Sequence, residues 1–240
     1  MVIYGINPVL EAVRAGRVDA LHVATRSDRR MAAVLEQARA AGVAITRVEA
    51  AALDRLARGG VHQGVVATLR ERAALSVEDL VAAAAAPALL MVLDGIEDPH
   101  NLGAILRSVD AAGAHGVIRQ SRHAAPLDGA AAKASAGAVA HVKVAEVVNI
   151  ARAIEELKEA GVWTVGLAGD APTRYDRVDY TVPTAFVVGA EGTGLRRLVR
   201  ERCDFLVSIP LAGHVDSLNV AVAAAVALFE AVRQRGAGRP

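Results

Sequence analysis

The sequence contains few of the residues that cross-link or stack. Its one cysteine, Cys203, cannot form an intrachain disulfide or supply the thiolates of a zinc cluster, and we expect a buried structural thiol. Phe, Trp and Tyr together make up only 3% of the residues. Proteins that bind single strands by stacking bases need more aromatic rings than this. We therefore expect neither a thiolate metal site nor an RNA contact built on stacking.

Long apolar segments are absent as well. The amino end shows no basic stretch followed by an apolar core, as a secretory signal requires, and no run of about eighteen apolar residues could cross a bilayer. Apolar residues (53%) and charged residues (22%) occur in the proportions of an ordinary globular protein. We expect a cytoplasmic protein with no membrane partner.

The net charge of +1 conceals an uneven distribution. Residues 1–72 contain eleven arginines and seven acidic residues, whereas the rest of the chain contains sixteen basic and nineteen acidic residues. A positive amino-terminal part indicates a surface that faces nucleic acid. A solvated surface in an arginine-rich proteome explains the same numbers, so composition alone leaves both interpretations open.

Helix and strand signals divide the chain into three parts. Asn7 followed by Pro8 predicts a helix start, and strands then alternate with helices up to Leu69. We predict a small α/β domain over residues 1–70. Residues 71–87 differ in sequence pattern from the segments before them and end in five alanines before a proline. This pattern predicts a linker with one short helix.

Residues 88–240 form the second predicted domain. Its strands are continuous apolar runs separated by helices, a pattern typical of a parallel sheet that is covered on both faces. Ligands in such sheets bind at the carboxyl ends of the strands. Three polar motifs follow predicted strands at this position.

The first motif contains Asn101 and Arg107 at the start of a helix. Leu102, Ile105 and Leu106 form the apolar stripe of that helix. Arg107 lies on a different face, where its planar guanidinium can hold a phosphate. Alternatively, Asn101 caps the helix and Arg107 belongs to a surface ion pair.

The second motif places three glycines and Glu191 between an apolar strand and a basic helix, over residues 189–194. Glycine lets the backbone approach a ligand closely. The spacing is not G-x-G-x-x-G, and no ribose-binding acid follows at the expected distance, which excludes a standard dinucleotide site. Alternatively, Glu191 favours the dipole of the following helix and the glycines are turn residues.

The third motif, residues 209–220, joins a strand to a long Ala/Val-rich helix. Ser217 and Asn219 stand where that helix begins, and the first N–H groups of a helix have no partner within it. A loop and helix start that bind a ligand is the simplest interpretation. Alternatively, Ser217 caps the helix, Asn219 is an early polar residue and Gly213 forms a turn.

In order and spacing, the three motifs resemble motifs one, two and three of the SpoU (TrmH-like) family of RNA ribose 2′-O-methyltransferases. The matching patterns are Asn-x5-Arg, Gly-x-Glu-Gly-x-Gly, and Ile-Pro-Leu-x-Gly followed by Ser-Leu-Asn-Val. Residues 133–138 resemble a further family segment. Residues 4–9 and 62–64 resemble the substrate-binding domain of the branch that methylates a guanosine of 23S ribosomal RNA. One departure is Ala221, where relatives often carry serine; activity is expected to survive it.

The resemblance implies a carboxyl-terminal α/β trefoil-knot (SPOUT) domain with a parallel sheet, preceded by a small α/β, L30e-like, RNA-binding domain. It also implies a homodimer, and S-adenosylmethionine enclosed in a bent conformation by three loops. The residues expected to bind this cofactor are Leu167, Ala168, Gly169, Gly189, Ile209, Leu211 and Leu218.

The implied reaction is methyl transfer from S-adenosylmethionine to a ribose 2′-hydroxyl of RNA, with a guanosine of 23S rRNA as the expected target. Arg107 would hold the 3′-phosphate beside the 2′-oxygen. Since a guanidinium stays protonated in proteins, phosphate-assisted deprotonation is physically easier than deprotonation by Arg107 itself. Asn101 and Asn219 would orient the ribose or the arginine. Glu191 would fix the loop or the arginine, and Ser217 would bind a phosphate or backbone group.

No metal is needed for this chemistry. His100, His123 and His214 fall near the motifs, and imidazoles titrate near neutrality, but we expect them to be loop residues without a catalytic role. For His62, an RNA contact and a role in the fold are equally compatible with the sequence.

Other functions use the same sequence features. Transfer RNA or another ribosomal site would be methylated with the same catalytic motifs, so the sequence leaves the target nucleotide open. A non-catalytic RNA-binding homologue would have lost Asn101, Arg107 or Asn219, and all three are present. A regulator that binds a small molecule is disfavoured by the basic amino-terminal part.

Overall fold

The computed structural model describes residues 1–25, 29–70 and 73–236. The start of the predicted linker at residues 71 and 72, and the end of the second predicted domain at 237–240, lie outside the described residues. The chain folds into two compact units. The first contains the amino-terminal residues up to 73 together with 99–107 and 125–141, and the second contains 74–98, 108–124 and the chain from Val142 onward.

A four-stranded sheet forms the centre of the first unit, with the strand order β1-β4-β2-β3. Strand β4 is antiparallel to β1 and to β2, whereas β2 and β3 are parallel. The elements are β1 (Val2–Tyr4), α1 (Ile6–Arg14), β2 (Val18–Ala24), α2 (Arg29–Ala40), β3 (Ala44–Val48), α3 (Ala50–Leu56) and β4 (Val65–Leu69). Strand β1 was not predicted, because three residues carry too little pattern to identify a strand.

Helix α1 begins differently from the prediction. Its N-cap residue is Gly5, with a φ of +94°, so Asn7 is a helical residue and the prediction that it caps the helix is wrong. The Ile6 N–H donates instead to Oε1 of Gln63 at 3.0 Å, a partner 57 residues away in the chain. Next to it, the His62 ring accepts from the Gly64 N–H and contacts Asp54. These contacts give residues 62–64 a role in the fold.

Helix α5 (Pro99–Ala111) contributes its residues up to 107 to the first unit and contacts α6 (Gly129–Ala134) there. A Cβ added at Gly103 would lie 2.5 Å from the Cβ of Ala134 and 2.6 Å from the carbonyl oxygen of Ala131. Only glycine allows the two helix backbones to approach this closely. The segment of residues 133–138 therefore begins in the helix that packs on the first motif.

The second unit contains a seven-stranded sheet, and every pair of neighbouring strands is parallel, as the apolar runs predict. The strand order is β7-β6-β5-β10-β8-β11-β9. The strands are β5 (Leu89–Asp94), β6 (Gly116–Gln120), β7 (Val144–Val147), β8 (Trp163–Leu167), β9 (Thr173–Arg174), β10 (Thr184–Gly189) and β11 (Phe205–Ser208). The helices are α4 (Val77–Ala82), α7 (Ile150–Glu159), α8 (Arg197–Arg202) and α9 (Val220–Gly236).

Buried apolar residues hold this sheet and its helices together. All residues of β5 and β10 are buried, which explains why these strands are continuous apolar runs. Helix α7 buries residues at positions i, i+3, i+4 and i+7 (Ile150, Ala153, Ile154 and Leu157) in the same core cluster. Leu80 of α4 is fully buried in that cluster as well, so the short helix of the predicted linker packs on the second unit.

Cys203 follows α8 and packs against the same core cluster. Burial raises the pKa of its thiol to about 12, and the thiol donates to the carbonyl oxygen of Val199 at 3.3 Å. A thiol held in its neutral form is a poor nucleophile, which agrees with the structural role expected from the sequence. None of the helices in the described ranges combines the length and the apolar character needed to cross a bilayer.

Candidate active site

The carboxyl ends of four neighbouring parallel strands meet at one edge of the large sheet. Strands β5, β10, β8 and β11 are adjacent in this order, and they end at Asp94, Gly189, Leu167 and Ser208. The second and third motifs follow β10 and β11, so both begin at this edge. The strands that precede the three motifs, β5, β10 and β11, therefore end at the same edge of the sheet.

The loop of the second motif is a closed turn. Ala190 and Gly194 form an isolated bridge, and the Gly194 N–H donates to the carbonyl oxygen of Ala190 at 2.9 Å. Gly192 and Gly194 have φ angles of +79° and +66°, a conformation that residues with a Cβ rarely adopt. This turn exposes the side chain of Glu191.

Glu191 connects the second motif to the third. The Asn219 Nδ2 group donates to Glu191 Oε1 at 2.8 Å, while Asn219 Oδ1 accepts from the N–H groups of Ala221 and Val222 at 3.0 and 3.4 Å. Asn219 therefore caps α9 and binds Glu191 with the other end of the same amide. Helix α8 begins only at Arg197, so Glu191 does not lie in its first turn.

Ser217 is not the cap of α9. The helix begins at Val220, and Ser217 lies in exposed coil two residues before Asn219. The alternative in which Ser217 caps the helix and Asn219 is a helical residue is wrong. The sequence could not separate the two, because both side chains are common N-caps and the Ala/Val-rich run leaves the first helical residue undefined.

Coupling between Glu191 and Asn219 is measurable in the free energy of unfolding. Asn219→Asp keeps a good N-cap but replaces the amide donor by a second carboxylate. We expect it to lower the free energy of unfolding by about 1 kcal/mol, and the additional change Glu191→Gln to restore most of the loss. Urea denaturation of the two single variants and the double variant measures the coupling. Additive effects would contradict the contact.

One pair of residues at this edge was not predicted. Asp94, the last residue of β5, is 1% exposed. Its carboxylate accepts from the Arg196 backbone N–H at 2.9 Å and from Arg196 Nε at 2.7 Å. The available sequence signal for a functional residue here was an acidic side chain at the end of an otherwise apolar strand. The sequence gives no indication of its partner 102 residues later.

Asn101 and Arg107 lie on α5. The helix begins at Pro99, so Asn101 is its third residue, 7% exposed, and the alternative in which it caps the helix is wrong. The predicted stripe (Leu102, Ile105 and Leu106) is buried, and Arg107 is exposed on another face, as expected. Both residues belong to the first compact unit, whereas Glu191, Ser217 and Asn219 belong to the second.

The residues expected to bind the cofactor follow neighbouring strands of the second unit. Residues 167–169 end and follow β8, Ile209 and Leu211 follow β11, and Leu218 precedes α9. A Cβ added at Gly169 would meet nothing within 4 Å, and Leu211 is 39% exposed. Open backbone beside an exposed apolar side chain suits the flat face of an adenine ring. The residues present therefore fit S-adenosylmethionine.

The histidines near the motifs lie at the surface. His123 and His214 are exposed loop residues, and His100 is an exposed residue of α5 rather than of a loop. Within the described residues, no group of three His, Cys, Asp or Glu side chains is arranged to hold a metal ion.

The family models match almost the whole chain. The SpoU rRNA methylase family model matches residues 88–229, and the model for RNA 2′-O ribose methyltransferase substrate binding matches residues 2–74. The 23S rRNA (guanosine-2′-O-)-methyltransferase RlmB of Yersinia pestis is 46% identical over 240 residues, covering 98% of each chain. Its namesake in Bordetella pertussis is 49% identical over 213 residues, covering 88% of this chain and 87% of its own.

A solved structure agrees with the family models. The SpoU methyltransferase AviRb from Streptomyces viridochromogenes, crystallised in complex with the cofactor AdoMet, superposes with a TM-score of 0.83 at 30% identity, covering 99% of this chain and 91% of its own. The resemblance inferred from the three motifs is confirmed: the chain belongs to the SpoU rRNA methylase family of S-adenosylmethionine-dependent RNA methyltransferases.

Proposed function

We propose that this protein transfers the methyl group of S-adenosylmethionine to the ribose 2′-hydroxyl of a guanosine in 23S rRNA. The contact between Glu191 and Asn219 carries the proposal, since it joins the second and third motifs at the carboxyl ends of the strands, where ligands bind in parallel sheets of this kind. The relatives that are nearly half identical over most of the chain are named for this reaction.

The cofactor would be held at the carboxyl ends of β8, β10 and β11. Backbone groups of Gly189, Ile209 and Leu218 would bind its adenine and methionine parts, with Leu211 and residues 167–169 beside them. When bound, S-adenosylmethionine supplies a methyl group on a positively charged sulfur. The protein's own task is to hold the acceptor sugar in line with that methyl group, an effect worth up to about 7–11 kcal/mol.

Arg107 is the proposed phosphate-binding catalytic residue. Its exposed guanidinium would hold the 3′-phosphate of the target nucleotide beside the 2′-oxygen, so that the phosphate accepts the hydroxyl proton. Asn101 and Asn219 would orient the ribose, and Ser217 would bind a nearby phosphate. Glu191 would hold Asn219 in place through the amide contact described above.

The amino-terminal domain, residues 1–70, would bind the RNA substrate, joined by the linker of residues 71–87 to a knotted catalytic domain of residues 88–240. Support comes from its excess of arginine over acidic residues and from the substrate-binding family model. Phosphate neutralisation by arginine is the sequence-independent part of RNA binding. With a ribosomal RNA substrate, the enzyme would act in the cytoplasm.

The proposed homodimer would use the outer face of α9. Val222 and Phe229 are each 48% exposed and are separated by two helical turns, so they lie on one face, with the partly buried Val226 between them. We expect Phe229→Asp to shift the protein toward a monomer in sedimentation velocity. Val148→Asp, at an 84% exposed apolar residue outside α9, is the matched control. An unchanged dimer in Phe229→Asp would contradict this interface.

The function is tested by tritium transfer from labelled S-adenosylmethionine to 23S rRNA isolated from cells that lack this protein. We expect stoichiometric labelling of one guanosine, which ribose-methylation mapping then locates. A relative in Mycolicibacterium gilvum, 45% identical over 240 residues, is named only as an uncharacterized tRNA/rRNA methyltransferase. Unmodified transfer RNA is therefore the second substrate to test. Tight RNA binding without label on any RNA would indicate a binding protein instead of an enzyme.

A further inference from the structure

Asp94 contacts the loop of the second motif at both of its ends. Gly189, the last residue before the loop, pairs with Asp94 in the parallel register of β10 and β5. Arg196, the second residue after Gly194, donates its backbone N–H and its guanidinium to the Asp94 carboxylate. One residue of β5 is therefore adjacent to the start of the loop and hydrogen-bonded to the chain just after its end.

A contribution to the free energy of unfolding does not by itself explain why position 94 carries a buried carboxylate. Its side chain is fully buried, whereas the side chain of Arg196 is 56% exposed. Removing a carboxylate from water costs free energy that a single ion pair barely recovers, and an apolar residue at such a position is often as stabilising. What an apolar residue cannot provide is a directional hold on two donors of Arg196 at once.

The loop between these two ends carries Glu191, which binds Asn219. A shift of the loop would move Glu191 and the backbone following Gly189 together, because the turn is closed by its own bridge between Ala190 and Gly194. Displacements of about 1 Å at such a site can cost about a hundredfold in rate.

We infer that Asp94 and Arg196 are positioning residues for the cofactor: their ion pair fixes the second-motif loop in the conformation that binds S-adenosylmethionine. This inference rests on the proposed function and deepens it. Neither residue needs to touch the cofactor. Their effect on it passes through Gly189 at one end of the loop and Glu191 within it.

Calorimetric titration of S-adenosylmethionine into the full-length protein tests the inference. We expect Arg196→Ala and Asp94→Asn to raise the Kd about tenfold, as for the loss of one charge-assisted hydrogen bond. Arg196→Lys keeps the charge and the backbone bond but not the planar fork, so an intermediate Kd is expected. The kcat measured at saturating S-adenosylmethionine should change less than the KM for S-adenosylmethionine. The control is Arg197→Ala, whose partner Glu201 is a surface residue one helical turn away.

A purely structural pair would behave differently. In that case Arg196→Ala would lower Tm while the Kd for S-adenosylmethionine stayed within about twofold of the wild type, and this result would overturn the inference. Should Asp94→Asn fail to fold, the Arg196 variants decide the question. Wild-type protein that binds no S-adenosylmethionine would overturn the proposed function. Equal binding by the wild type and Arg196→Ala would overturn only the inference about the ion pair, so the two failures are distinguishable.

Discussion

Arg107→Ala is expected to reduce methyl transfer about a thousandfold while leaving the Kd for S-adenosylmethionine unchanged. The magnitude is that of removing a group that positions the acceptor and assists removal of its proton. Because Arg107 is exposed, its loss creates no buried cavity, so Tm should stay within about 2 °C. Single-turnover transfer of tritium to 23S rRNA measures the chemical step directly.

Arg107→Lys distinguishes the two roles considered for this residue, which are to hold the 3′-phosphate and to remove the hydroxyl proton itself. Lysine keeps the positive charge but cannot hold a phosphate with two parallel bonds, so a phosphate clamp predicts a large residual defect. Arg152→Ala, at a 79% exposed arginine of α7 that pairs with Glu156, is the matched control and should transfer methyl groups like the wild type. Activity of Arg107→Ala within about threefold of the wild type would remove this residue from the mechanism.

Local pattern was sufficient to predict most of the second unit. Strands β5 and β10 are buried on both faces, so their apolar runs are continuous and easily located. The Asn149 cap and the apolar stripe of α7 are also local signals. They predict a helix over residues 149–160, and the helix is observed over Ile150–Glu159. Where the physical cause of an element lies within the element, the sequence predicts it.

The elements and contacts that the sequence did not predict have a different cause. Helix α1 begins where Gln63 accepts from the Ile6 N–H, a contact across 57 residues, and the Asp94 carboxylate finds its partner 102 residues away. Short elements were missed as well: β9 has two residues, and α6 consists largely of alanine with little amphipathic pattern. No local rule specifies which distant donor a buried carboxylate will meet, so the pairing that holds the loop was visible only in the fold.

Gly189→Ala is expected to weaken S-adenosylmethionine binding by more than about a hundredfold. A Cβ at this position would lie 2.1 Å from the carbonyl carbon and 2.2 Å from the carbonyl oxygen of Gly194, and 2.3 Å from the N atom of Leu195. All three are backbone atoms, so no side chain can rotate away. The loop must open, separating Gly194 from Ala190 and moving Glu191 away from Asn219.

The same overlap should lower the free energy of unfolding by about 1–3 kcal/mol, the usual cost of forcing extra volume into a packed site. Gly236→Ala, where an added Cβ would meet nothing within 4 Å, is the control for the substitution itself. Calorimetric titration gives the Kd and urea denaturation gives the stability of each variant. If Gly189→Ala bound S-adenosylmethionine like the wild type, the closed turn would not be the conformation that binds the cofactor, and the roles assigned to Glu191, Asp94 and Arg196 would lose their common basis.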